Sequence, residues 1–111
     1  MDEGLRPMIE TAARALSRGS YRVSEPYVVR RSALNLAARS DEHTLLIKFV
    51  KDLVELRSKE VEEMKFVAKF FEAKPLIVGV FRNREPIAAD AVYYYRGLQV
   101  VNPATLLRAL E

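Results

Sequence analysis

Hydrophobic and polar positions alternate between two periods along this chain. Leu5, Met8, Ile9, Ala12 and Leu16 recur at spacings of three and four, one apolar stripe of a helix over 5–16. Pro7 suits its first turn, and Gly19 follows as a stop. Residues 21–29 read as extended, with Pro26 pointing to an edge or bulge. Residues 32–38 read as a second strand and 44–50 as a third, with the polar "RSDEH" as the turn between them, an antiparallel meander. Residues 58–74 then carry the strongest helical stripe: Val61, Met64, Val67, Ala68 and Phe71 face one way. Glu60, Glu62 and Glu63 open this helix and Lys69 and Lys74 close it, which complements the helix dipole, and Pro75 is placed to end it. "PLIVGVF" at 75–81 is continuously apolar, the pattern of a strand covered on both faces. "RNRE" reads as a turn, residues 91–95 and 98–101 as short strands, and "NPATLLRAL" as a last helix capped by Asn102 with Pro103 in its first position.

The order is α-β-β-β-α-β followed by β-β-α. The long helix joins the third strand to a fourth that pairs with it in parallel, because a parallel pair needs such a crossover. The fold class expected is α/β, one mixed central sheet flanked by helices.

Composition narrows the function without naming it. A length of 111 residues, 50% hydrophobic and 30% charged, suits one globular domain. There is no cysteine, so disulfides and thiolate metal sites are excluded. No signal peptide is visible and no apolar run approaches the length of a membrane span, so a cytoplasmic protein without membrane contact is expected. The net charge of +3 is unevenly spread. Residues 1–40 and 64–111 are each net basic and residues 41–63 net acidic, a distribution that can dock nucleic acid on one face.

One residue resists the bland reading. Lys48 stands inside the apolar third strand. Residues two apart share a strand face, so Leu46 and Lys48 point the same way, and Asn35 lies mid-strand in the neighbour. The element order with a D…(D/E)-x-K pattern resembles the restriction-endonuclease-like superfamily. In that superfamily an Asp on the second strand and an acidic residue two before the lysine hold Mg²⁺, and the lysine orients water or stabilises developing charge. Here those positions read Asn35, Leu46 and Lys48.

"LNLAA", "LLIKFV", "AKPLIVG", "AVYYYRGL" and "VNPATL" together resemble the N-terminal blocks of a family of archaeal helix-turn-helix transcriptional regulators. That N-terminal domain is nuclease-like and similar to archaeal Holliday-junction resolvases. The resemblance implies a single nuclease-like domain over 1–111, with no helix-turn-helix in this chain, and a degenerate active site. It also makes Glu10 the counterpart of a helix-one glutamate in resolvases. Hard divalent cations need anionic oxygens, and Asn35 and Leu46 supply none. The expectation is a domain without catalysis and without a cofactor, working in dimerisation or in DNA or protein association. Arg30, Arg31 and Lys48 are candidate nucleic-acid contacts. Phe66 and Phe70, beside the main stripe of the long helix, are candidates for an interface. The tyrosines of "VYYYR" either stack bases or bury their rings. Two alternatives stay open: a Mg²⁺-dependent structure-selective nuclease with ligands rearranged among Glu10, Asp41, Glu42 and Lys48, and a non-catalytic subunit of a heteromeric nuclease.

Overall fold

In the computed structural model, residues 5–23, 35–88 and 93–109 are described. The elements are α1 (Arg6–Arg18), β1 (Arg22–Val23), β2 (Leu36–Arg39), β3 (Thr44–Asp52), α2 (Ser58–Phe70), β4 (Lys74–Arg82), β5 (Glu85–Pro86), β6 (Tyr93–Tyr95), β7 (Leu98–Val101) and α3 (Pro103–Ala109). The strands form one sheet in the order β1-β2-β3-β4-β7-β6, with β5 a short hairpin partner of β4. The first three pair antiparallel, as the meander predicts. Strand β4 is parallel to both β3 and β7, so α2 is the crossover that the parallel pair requires.

Register decides which side chains share a face. Leu36 lies opposite Ile47, Ile47 beside Leu76, and Ile77 beside Val100. One face carries Leu36, Ile47, Phe49, Leu76 and Val78 against Ile9 and Leu16 of α1 and Leu106 of α3. The other carries Val50, Ile77, Leu98 and Val100 against Val61 and Met64 of α2. The central strands are therefore covered on both sides, and this is why β4 reads as an unbroken apolar run.

Helix ends depart from the sequence reading. Gly19 caps α1, but its φ of −88° is ordinary; the left-handed residue is Ser20, with φ 74°. The Tyr21 N–H then donates to the Leu16 carbonyl at 3.1 Å, closing a Schellman turn. Helix α2 stops at Phe70 rather than at 74. Glu72 takes φ 52°, and Ala73 N–H donates to the Ala68 carbonyl at 2.8 Å. This second Schellman turn reverses the chain in time for Lys74 to pair with Leu45. As a result Phe71, expected on the buried stripe, is 61% exposed, and Lys74 and Pro75 belong to β4. At the last helix Asn102 caps as predicted, its Oδ1 accepting Thr105 N–H at 2.7 Å. Pro26 and most of the expected extended segment 21–29 lie outside the described residues. No helix among the described residues is long and apolar enough to cross a membrane.

Candidate functional site

Lys48 and Asn35 are the two polar residues buried among the described ones, 8% and 5% exposed. The register puts them on neighbouring strands, close together. Asn35 N–H donates to the Ile47 carbonyl at 2.8 Å, tying the residue before β2 to β3 one position out of the Leu36–Ile47 register. Asn35 thus stands at the entry of β2 rather than in its middle. Its side chain is engaged as well, with Oδ1 accepting Phe49 N–H at 2.7 Å. A backbone donor inside the sheet is satisfied by an amide oxygen, and that oxygen is thereby committed.

Lys48 lies on the α2 face of β3, together with Leu46, which is 4% exposed. Burial pushes the Lys48 ammonium below its ordinary pKa, and the carboxylate of Glu60 on α2 partly opposes this. Glu60 sits three residues into the helix start. Its Oε1 accepts Arg57 N–H at 3.3 Å and stands 3.5 Å from Arg57 Nε. The site is therefore a lysine, an amide and one helix-borne carboxylate under the N-terminus of α2. In the sequence Glu60 reads only as a dipole-complementing residue. Its approach to Lys48 depends on the path of the loop from β3 to α2, which no local pattern encodes.

The other candidates do not converge on this lysine. Glu10 belongs to α1, which packs on the opposite sheet face with Ile47 and Phe49. Asp41 and Glu42 are exposed in the β2–β3 turn, beyond Thr44, which itself lies about 13 Å along the strand from Lys48 at roughly 3.3 Å per residue. Arg30 and Arg31 lie outside the described residues. Phe66 and Phe70 are 72% and 73% exposed on the outer side of α2. Tyr93 and Tyr95 lean on the α2-side core with the Arg82 and Arg96 guanidinium groups over their rings at 4.8 Å and 5.5 Å; Tyr94 points out, 61% exposed. His43 is exposed and its Nε2 shares a hydrogen bond of 2.6 Å with Tyr21 Oη. An apolar hollow between α1 and α3, floored by Phe49, carries no ionisable side chain.

A divalent metal does not fit this donor set. Among the described residues no three His, Cys, Asp or Glu side chains come together. Beside Lys48 the donor is a neutral amide already holding Phe49 N–H, and two residues before Lys48 there is only the alkyl group of Leu46.

Asp52, the last residue of β3, ties the end of that strand to the turn between β4 and β5. Its Oδ1 accepts Val54 N–H at 3.1 Å and Asn83 N–H at 2.8 Å, and its Oδ2 accepts Arg84 N–H at 2.8 Å. Lost hydration alone would raise the pKa of this carboxyl; the three N–H donors and the Arg84 charge outweigh it, so the pKa lies below its ordinary value of 3.8. A depressed carboxyl pKa stabilises the fold above the unfolded value and loses that contribution as pH falls through the folded one. Asp52→Ala is expected to lower the melting temperature at pH 7, and the gap from the parent should narrow as pH drops below about 3.8 toward full protonation. Thermal melts of both proteins across about pH 2 to 7 check this; a gap independent of pH would rule out the charge as its source.

A family model described as a PD-(D/E)XK superfamily domain matches residues 6–111. The chain is similar to proteins named "Putative HTH-type transcriptional regulatory protein" from three archaea. It is 33% identical over 103 residues to that of Thermococcus gammatolerans, covering 93% of this chain and 32% of the relative. Identity is 29% over 98 residues to that of Halorubrum lacusprofundi, with 88% and 30% covered. It is also 29% over 98 residues to that of Archaeoglobus fulgidus, with 88% and 32% covered. The chain thus spans about a third of the length of the curated relatives it matches. No solved structure matches it.

Proposed function

The chain belongs to the PD-(D/E)XK superfamily, and from that premise we propose that it is a nuclease-like module without hydrolytic power, serving a transcription regulator by association rather than by cutting. The observation that carries this reading is the chemistry around Lys48. Hydrolysis assisted by Mg²⁺ needs carboxylates to hold the ion and activate water. Asn35 and Leu46 offer a committed amide and a hydrocarbon. Rearranged ligands gain no support, because Glu10 lies across the sheet and Asp41 and Glu42 at the far turn. The scaffold remains: the mixed sheet, the crossover helix and the lysine.

The test is supercoiled plasmid incubated with Mg²⁺ or Mn²⁺. Nicking no faster than in a protein-free control is expected. Metal-dependent nicking that disappears in Lys48→Ala would overturn the reading. Binding of the chain to duplex DNA is expected to be weak and steeply salt-dependent, since scattered arginines act through counterion release. A tight complex unaffected by salt would point instead to a built DNA site.

A further inference from the structure

Helix α2 is apolar on two opposite sides. Val61, Met64 and Ala68 enter the core. On the outside, Phe66, Phe70 and the adjoining Phe71 are 72%, 73% and 61% exposed, and the rings of Phe70 and Phe71 meet edge to face at 5.0 Å. At roughly 200 Å² per ring, these three side chains leave on the order of 400 Å² of aromatic surface in water. Beside them is a shallow hollow lined by Lys59, Glu62, Glu63, Phe66 and Val67.

The charges flanking the rings select the partner. Glu62 and Lys69 are both exposed and stand seven residues apart. At about 100° per residue they fall within about 20° of each other around the helix and about 10 Å apart along it. Their midpoint lies beside Phe66. A two-fold axis there, normal to the plane of two antiparallel helices, keeps each side of the helix on its own side and reverses its direction. Glu62 then faces Lys69 of the second copy, Lys69 faces its Glu62, Phe66 meets Phe66, and Phe70 reaches the hollow around Lys59 and Glu63. A single patch that complements itself in charge and shape is what an isologous contact requires. Glu62 already has Lys65 of its own helix at 3.6 Å, and an exposed carboxylate accommodates a second cation.

We propose, resting on the reading of the domain as an associating module, that the occupant of this face is a second copy of the chain, docked as an antiparallel α2 pair about a two-fold axis at Phe66. The aromatic area is about half of what one partner buries in a standard interface, so the dimer is weak, with Kd on the order of 100 µM.

The experiment is sedimentation velocity of the chain across concentration, with Glu62→Lys, Lys69→Glu and their equimolar mixture. All the changed side chains are exposed, and circular dichroism confirms that each variant folds. The parent should dimerise with rising concentration. Each variant alone places like charges face to face twice and should self-associate at least tenfold more weakly. The mixture pairs lysine with glutamate at both contacts and should return to within a few-fold of the parent. A parent that stays a 12.7 kDa monomer at about ten times that concentration overturns the proposal. So do single variants that associate like the parent, or a mixture that shows no recovery. Phe66→Ser gives an independent check: it should abolish the dimer, and an unchanged Kd overturns the contact. Plasmid nicking by a dimeric parent would refute the non-hydrolytic reading and leave this contact standing, whereas a monomer that does not nick refutes the contact alone.

Discussion

Asn35→Asp together with Leu46→Glu is expected to lower the melting temperature of the metal-free protein by roughly 15 °C and to make it respond to Mn²⁺. The cost arises at Leu46, which is 4% exposed. A carboxyl there gives up hydration that the neighbouring Lys48 only partly replaces, at about 4 kcal/mol by comparison with other buried polar substitutions. For a domain of this size, 1 kcal/mol corresponds to about 4 °C. Asp at position 35 is much milder, because one carboxylate oxygen can go on accepting Phe49 N–H. The other oxygen and the new glutamate stand on neighbouring strands, one beside Lys48 and one two residues before it. Diagonal neighbours of that kind are about 7–8 Å apart at Cα, within reach of one ion bound between two side chains. A metal bound only by the folded state stabilises it by about 2.7 kcal/mol at a concentration roughly a hundredfold above Kd. Most of the lost melting temperature should therefore return with Mn²⁺, while the parent gains nothing comparable. Melts of the parent, of Asn35→Asp and of the double variant, with and without metal, make the comparison. Equal metal responses in all three would mean that these positions do not form a ligand pair, and the account of the domain as a disarmed nuclease would lose its basis.

Lys48→Met is expected to move stability the other way. The lysine is 8% exposed, its pKa is lowered chiefly by burial, and the charge of Glu60 only partly offsets that. Methionine keeps the length of the stem and removes the ammonium. Replacing a buried charge whose pairing does not offset its lost hydration is neutral to mildly stabilising, here by about 1 kcal/mol, and Glu60 keeps Arg57 beside it at 3.5 Å when the lysine goes. The lowered pKa sets the sign with pH. Below the folded value Lys48 is charged in both states and the burial penalty is full. Between that value and 10.5 the folded lysine sheds its proton while the unfolded one keeps it, so the parent gains stability with rising pH. The methionine advantage should accordingly be largest below the folded pKa and shrink as pH rises toward 10.5. Denaturant titrations at about pH 7 and about pH 10 measure it. A variant that is less stable at neutral pH would show that Lys48 holds the fold together, and its burial could no longer be read as a trace of chemistry on this scaffold.

Much of the fold is legible because it is written in local periods. The three-and-four spacing of Ile9, Ala12 and Leu16 makes α1, and the unbroken apolar run at 75–81 makes a strand covered on both faces. The order of elements, with one long helix between two apolar strands, already requires a parallel pair, and β3 and β4 form one. The substitutions that carry the functional reading are also plain in the sequence, because Lys48 and Leu46 two residues apart must share a strand face whatever surrounds them. What the sequence leaves open is whatever depends on contacts between distant segments. The end of α2 is set by a left-handed Glu72 and by the need to bring Lys74 beside Leu45, so helical propensity through Lys74 misplaced it. Asn35 reads in the sequence as a mid-strand residue at a metal-ligand position; only the fold shows that its Oδ1 is held by Phe49 N–H. Glu60 looks like a dipole charge until the loop after β3 lowers α2 over Lys48. Phe66, Phe70 and Phe71 are equally apolar letters in the chain; only the packing of Val61, Met64 and Ala68 into the sheet turns them outward into solvent.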